Sequence, residues 1–484
     1  MILVIAIVLP ILAGALLPLL KLRPDKVRFA YIGGITLLTS ILAALGVLDG
    51  AKLPIELLRF SSQMSVSLRL DGVGRIFACI LIFLWPLATL YALEYMRHEE
   101  KQDNFFSFFM MSYGVTLGIA SSANLLTLYI FYEMMTLTTL PLVMHGGSAE
   151  SIAAGLKYLY YSLGGAAFAF IGLVYLIHYS GTTVFVWGGL FTRVSPETAG
   201  QLRIGYLLCF LGFSVKAAIF PLHGWLPTAS VAPTPVTALL HAVAVVKSGV
   251  FALIRVTWFS FGPFLLRGTY AQYIPLALVA FTIVYGCAMA LKEQHLKRRL
   301  AYSTVSNLSY ILFGALLLTP QGLAAGLQHM IFHAVMKITL FLCAGSYMVN
   351  AKAHYVQDLR GISRPMPLTG AVFVLGSLAM TGFPPLIGFI SKWSLAQAAL
   401  AEGGLLPTLG VIALLISAVL TGIYLLVPSF SLYAGKRPAA AAPACDGGWK
   451  MRTTLSVLSA ALLVMSFYSA PLLDFILRAA SGLV

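Results

Sequence analysis

Eight titratable side chains lie in stretches otherwise apolar enough for a lipid interior: Glu133, Lys216, His241, Lys247, His329, His333, Lys337 and Lys392. A charge at bilayer depth costs about 3 kcal/mol or more, so such residues are usually retained for an ion path or a proton relay. Burial draws lysine toward neutrality, histidine titrates near neutral pH, and a nearby carboxylate holds either one charged. The chemistry this set offers is proton transfer. No Ser-His-Asp order, glycine-rich phosphate loop or carboxylate cluster accompanies it, so the chain alone shows no catalytic residue and no metal site.

Glu133, in LLTLYIFYEMMTLTTLPLVM, is read as an ion partner for Lys216. At about 4 Å and an effective dielectric near 20 the pair gains roughly 4 kcal/mol, and separating it lets desolvation release a proton from the lysine. Lys247 sits inside the next span. His241, six residues before it, lies on the opposite side of an ideal helix, so one of the two faces another neighbour. A packed, hydrogen-bonded histidine and a relay histidine are both open readings of His241.

In GLQHMIFHAVMKITLFLCAG, His329, His333 and Lys337 recur every four residues, advancing about 40° and about 6 Å per step. They make one polar stripe, either a relay over about 12 Å or a structural seam between helices. Zinc is not expected there, because no carboxylate or cysteine ligand lies near. Lys392, in GFISKWSLA, follows a helix break.

These side chains must be positioned by membrane helices. The chain has 484 residues, 60% of them apolar and only 10% charged, with mean hydropathy +0.92. That composition excludes a soluble globular class. The net charge of +15 is scattered over short loops with no basic stripe, so nucleic acid is excluded as a partner and the positive-inside rule explains the charge. Five cysteines lie far apart without CxxC or CxH spacing, which argues against iron-sulfur clusters or structural zinc; no cofactor is expected in this chain.

Apolar runs predict about fourteen spans, near 2–20, 29–48, 73–95, 105–120, 123–144, 156–178, 203–221, 232–256, 271–291, 300–318, 322–348, 367–397, 405–429 and 453–477. The first has no charged stretch before it and no small-residue cleavage site after it, and is read as a true span. Basic residues favour alternate loops by about two to one, which puts both termini on the outer side of a bacterial or archaeal inner membrane. Glu133, Lys216, Lys247, Lys337 and Lys392 are the acid and the lysines that this loop assignment leaves inside the hydrocarbon.

The seventh span breaks at FPLHGWLP, with Pro221 and His223, and the twelfth at TGFPPLIGF, with Pro384 and Pro385. Proline frees backbone carbonyls, which lipid tolerates only where protein or water satisfies them. His223 is read either as a partner for those carbonyls or as a proton carrier. A pair of broken helices points to inverted repeats with the ion path at the breaks. The expected division is 1–100 for spans one to three, 101–257 and 258–430 for two five-helix repeats, and 431–484 for a cytoplasmic loop, including the low-complexity RPAAAAPACDGG, and the last span.

KAAIFPLHGWLPTASVAPTPVTALLHAVAVVKSG, LKRRLAYSTVSNLSYILFG and HMIFHAVMKITLFLCAG resemble the antiporter-like subunits shared by respiratory complex I (NADH:quinone oxidoreductase), Mrp-type cation/proton antiporters and membrane-bound hydrogenases. The resemblance runs from about residue 70 to about residue 430. It implies an all-α polytopic fold of about fourteen transmembrane helices with two inverted five-helix repeats and discontinuous helices 7 and 12. It also implies a midplane chain of protonatable groups. Glu133 matches the family's fifth-helix glutamate, Lys216 its seventh-helix lysine, His241 and Lys247 eighth-helix positions, and His329, His333 and Lys337 the eleventh-helix set. Lys392 matches the exit-side position of helix 12.

The co-occurrence of His241 and Lys247 mixes features of different branches. The chain ends directly after the fourteenth span, so the long lateral helix of the largest complex I subunit is not expected. The resemblance implies a proton-translocating subunit of a multisubunit redox complex, with membrane partners, iron-sulfur redox subunits and protons as its associates, and with Na+ an open alternative to H+. The alternatives are a transport-inactive membrane anchor for a soluble enzyme and a subunit of a Mrp-type Na+/H+ antiporter.

Overall fold

The computed structural model describes residues 1–22, 25–49, 53–435, 437 and 443–483. Arg23, Lys52 and Lys436 of the loop charge balance, and residues 438–442 of the alanine-rich loop, lie outside the described residues.

The chain begins with α1 (Ile2–Leu20) and α2 (Asp25–Asp49), a two-stranded antiparallel hairpin of β1 (Ile55–Arg59) and β2 (Ser65–Leu68), and α3 (Gly72–Tyr95). Then come α4 (Gln102–Ala120), α5 (Leu125–Val143), α6 (Ala149–Ser180), α7 (Pro196–Ser214), α8 (Trp225–Thr228), α9 (Thr234–Ala242) and α10 (Val245–Arg255), the last running into a π-helical turn over Val256–Phe261. After the short α11 (Pro263–Leu266) come α12 (Tyr270–Lys292), α13 (Leu296–Leu316), α14 (Pro320–Ala351), α15 (Pro367–Thr381), α16 (Ile387–Glu402) and α17 (Leu405–Ser431). α18 (Trp449–Phe467) and α19 (Ala470–Ala480) come last.

Helix starts follow local chemistry. Asn124, Ser148, Ser195 and Thr319 each accept a hydrogen bond from a backbone N–H in the first turn of α5, α6, α7 and α14, satisfying donors that lipid would leave bare. Ten of the described helices, counting Thr234–Phe261 as one, are long and apolar enough to cross a membrane.

Burial sorts these helices into an outer ring and a centre. α1, α2 and α17 expose much of their apolar surface, whereas α14 and the Thr234–Phe261 segment are enclosed on every side. The enclosed helices carry polar side chains in mid-span, His241, Lys247, His329, His333 and Lys337, as lipid demands.

The breaks differ in part from the sequence expectation. Spans seven and twelve divide at the expected prolines, between α7 and α8 and between α15 and α16. The eighth span is also broken, at Val243 and Ala244, where both N–H groups turn back to the Leu239 carbonyl (2.9 and 2.8 Å) before α10 restarts. No proline or glycine marks that point in HAVAVV, so no sequence signal announces it. The fourteenth span ends at Phe467, and α19, opening on Pro471, lies against α3 and α14 through Ile476, Ala479 and Ala480. The hairpin is the one strand pair among the described residues; it falls where the sequence reading has a plain loop.

Candidate functional site

At the first break, Val215, Lys216, Ala217 and Ala218 leave α7 in a compact turn, with Ala218 in the left-handed region (φ 55). The Val215 carbonyl accepts from the Trp225 indole (2.7 Å), and the Phe220 N–H donates to Thr282 on α12 (3.2 Å). These bonds tie the turn to its neighbours on both sides. α10 crosses this turn at Gly249, where a Cβ would collide with the Ala217 nitrogen and the Lys216 carbonyl carbon, so only glycine permits the approach.

Lys216 is fully buried, but it does not close into a salt bridge with Glu133. Its ammonium donates to the Tyr132 carbonyl and stands 3.5 Å from the centre of the Tyr132 ring. Glu133 Oε1 is left buried without a hydrogen-bond partner. The pairing expected from the sequence is therefore open: lysine and carboxylate are held one residue apart along α5.

The centre of the molecule is a row of contacts between α10, α14 and α16. Lys247 Nζ lies 2.6 Å from His333 Nδ1. The His333 and His329 rings stack at 5.9 Å between centroids. His329 Nδ1 is 2.9 Å from Ser391 Oγ and its Nε2 is 3.3 Å from Asn307 Oδ1 on α13. Ser391 is the residue before Lys392, whose ammonium donates to the Met380 and Thr381 carbonyls (2.8 and 2.9 Å). Lys392 thus satisfies carbonyls freed where α15 stops, from the far side of the break.

Lys337 leaves this row. Two steps of about 40° turn it from His329 toward α13, where it donates to Ser303 Oγ and to the Leu300 carbonyl (3.1 Å). His241 also stands apart: it stacks on Phe341 (4.7 Å, 22°) and both ring nitrogens are buried without a partner. The structure thus gives packing without hydrogen bonding. His223, buried against Phe220, Tyr285 and Tyr302, bonds none of the freed carbonyls through its Nδ1, which has no partner.

Several polar groups at this centre escaped the sequence reading. Ser303, Asn307 and Tyr310 follow one another at three- and four-residue spacing along α13 and face Lys337, His329 and Lys392 respectively. The signal was available in AYSTVSNLSY, a polar face on a buried helix. Some of the charges assigned to loops are also buried, Arg255 and Lys297 among them. Arg255, at the end of α10, pairs with Asp71 (2.5 and 2.6 Å), and Lys297, in the first turn of α13, donates to the Ala232 carbonyl (2.9 Å). Among the described residues no group of three or more His, Cys, Asp or Glu could hold a metal ion.

Fold and site together define a polytopic, nearly all-helical membrane protein with broken helices at its core and protonatable side chains joined across the breaks. The chain belongs to the NADH:quinone oxidoreductase/Mrp antiporter transmembrane family, which matches residues 122–421. It is 32% identical over 365 residues to NADH-quinone oxidoreductase subunit N of Desulforudis audaxviator (strain MP104C), covering 74% of this chain and 71% of that protein. It is 33% identical over 335 residues to a probable K(+)/H(+) antiporter component of Rhizobium meliloti (strain 1021), covering 68% of this chain and 32% of that protein. A chain of the membrane-bound sulfane sulfur reductase, an archaeal respiratory membrane complex, superposes with a TM-score of 0.87 over 99% of this chain and 97% of that one, at 23% identity, and so shares the fold.

Proposed function

We propose that this chain is a proton-translocating, antiporter-like subunit of a multisubunit redox complex in a bacterial or archaeal inner membrane, with both termini on the outer side. The observation that carries the reading is the contact row from Lys247 through His333 and His329 to Ser391 and Lys392, which crosses from the first half of the chain into the second. Protons reach the row near Lys247 and leave through Lys392. Lys216, fully buried, and the half-buried Glu133, close but unpaired, act as the electrostatic switch. Lys337 and His241 adjoin the row and feed it. The chain itself holds no cofactor in this reading; the redox centres belong to partner subunits with iron-sulfur clusters.

A second reading, a component of a Na+/H+ or other cation antiporter, is favoured by the identity to the Rhizobium meliloti protein. An inert anchor fits less well, because buried lysines without a carboxylate partner would be better replaced by apolar side chains. The test is Lys216→Met in the intact complex, reconstituted in vesicles. Turnover-linked proton uptake is expected to vanish while assembly persists; normal uptake would overturn the scheme. Sodium-dependent exchange without any redox partner would favour the second reading.

A further inference from the structure

Three cations gather at one end of the bundle, where α2 starts, α3 ends and α18 starts. Around the half-buried ring of Phe29 stand Arg28 Cζ at 5.5 Å, Arg97 Cζ at 5.9 Å and Lys450 Nζ at 4.3 Å. Arg28 is engaged: it pairs with Asp25 (2.7 Å) and Asp103 (3.3 Å) and donates to Gln102 (2.7 Å). Glu94 is engaged too, its Oε2 accepting from the Lys450 and Met451 N–H groups (3.0 and 3.1 Å) at the start of α18. Arg97 and Lys450 form no ion pair among the described residues. Lys450 is only 9% exposed, and it lies in the first turn of α18, where the helix dipole disfavours a cation. An ammonium so placed, beside a guanidinium, lacks an anion.

Below these cations runs an apolar groove. α2 and α18 each pack along α3 but not along one another, while α4, α9 and α14 cover the rest of α3. The strip of α3 left open carries Cys79, Phe83, Pro86 and Leu90, which recur at three- and four-residue spacing on one stripe and are exposed or half-buried. From Leu90 to Cys79 the strip runs about 16 Å, close to the depth of one leaflet's hydrocarbon. Trp449, exposed at the start of α18 and 5.9 Å from the Lys450 ammonium, marks the headgroup level at the mouth of the groove. Unpaired cations over an apolar strip of that length match a phosphate carrying acyl chains.

We propose that the groove between α2, α3 and α18 is a binding site for an anionic phospholipid, with its phosphate between Arg97 and Lys450 and its chains along Leu90, Phe83 and Cys79. Arg28, already paired, and Phe29 fix the positions of the two free cations. The site goes beyond the transport reading and stands without it. For the test, the assembled complex is held in phosphatidylcholine nanodiscs containing a trace of either phosphatidylglycerol or phosphatidylcholine with a diazirine in one acyl chain, and cross-linked peptides are read by mass spectrometry.

The phosphatidylglycerol probe is expected to label the 79–90 strip about tenfold more than the phosphatidylcholine probe, the preference that two unpaired cations give a phosphate of net charge. Joint Arg97→Gln and Lys450→Gln substitution should bring it down to the phosphatidylcholine level. Because Lys450 is packed, the exposed Arg97 supplies a second variant: Arg97→Gln alone should lower the preference about threefold, and Arg97→Lys should keep it. Equal labelling by both probes, or a preference untouched by Arg97→Gln, overturns the site as an ordinary stretch of the lipid-facing surface. Loss of labelling in excess inorganic phosphate would give the cations to the free ion, and carbodiimide coupling of Lys450 to a carboxylate of another subunit would give the groove to protein; either result also overturns it.

Discussion

Lys247 Nζ and His333 Nδ1 meet at 2.6 Å, joining α10, which restarts after an unannounced break, to the middle of the fully enclosed α14. With His333 Nε2 unpartnered, a proton shared with Lys247 has an open way onward only through the imidazole, toward the stacked His329. Lys247→Met and His333→Ala are each expected to lower turnover-linked proton uptake by about ten- to a hundredfold, the scale of a lost positioned proton-transfer group. The double variant should be no worse than the poorer single one, because both remove the same link. Fully additive losses in reconstituted vesicles would show two separate paths.

Lys392 does two jobs, and one substitution separates them. Its ammonium satisfies the Met380 and Thr381 carbonyls at the end of α15, while the neighbouring Ser391 hydroxyl meets His329. Lys392→Met leaves those carbonyls without this donor and is expected to cost about 1–3 kcal/mol of stability in addition to proton uptake. Ser391→Ala, which leaves the carbonyls capped, should reduce uptake with little change in stability. Thermal unfolding of the purified complex in detergent checks the difference; equal destabilisation by both would show that Lys392 is not the cap.

Much of this arrangement was legible in the sequence because lipid makes polarity conspicuous. A lysine in an apolar run needs explaining wherever it falls, so Lys216, Lys247, Lys337 and Lys392 and the proline breaks stand out before any coordinates. What could not be read is direction. The stripe of His329, His333 and Lys337 fixes spacing along α14, but only the packing of α10, α13 and α16 decides that Lys337 faces Ser303 and His333 faces Lys247. Charges near span ends were misassigned for the same reason: loop counting places Arg255 and Lys297 in loops, and tertiary partners hold them within the fold. The break at Val243 and Ala244 has no local cause in the sequence and reflects the neighbours of α9 and α10.

Arg255 and Asp71 illustrate a charge kept for architecture. The guanidinium is fully buried among Phe185, Phe251 and Phe259, with Asp71 its carboxylate partner at 18% side-chain exposure. Asp71 also accepts from the Gly74 N–H, capping α3, so the pair ties the third helix to the end of the eighth span. Asp71→Asn retains a capping oxygen but strands the cation, and is expected to cost about 3 kcal/mol. Pairing it with Arg255→Met should recover most of that loss. Denaturant unfolding of the purified protein reads both, and an undiminished penalty in the double variant would mean that the loss does not come from a stranded Arg255 cation.

A polar cavity between the start of α13 and the end of α14 is bordered by a clasp that pH should loosen. Residues 294–296 pair with 354–356: the Leu296 N–H donates to the His354 carbonyl (2.9 Å) and the Val356 N–H to the Gln294 carbonyl (3.0 Å). Burial, with Lys297 and Arg298 close by, pushes the His295 imidazole from 6.5 down to about 4, and burial and Lys297 lower His354 in the same direction. Both rings are therefore neutral when the clasp is closed, and the open loop binds the extra protons. The clasp is at full strength above about 6.5 and weakens as pH falls toward about 4. Hydrogen exchange at Leu296 and Val356, expressed as protection relative to the unstructured chain, should fall across that window. Joint His295→Gln and His354→Gln substitution should hold it level, since no proton is then gained on opening. Constant protection in the parent protein would mean that the closed loop already carries the charge, and that the border of the cavity does not respond to pH.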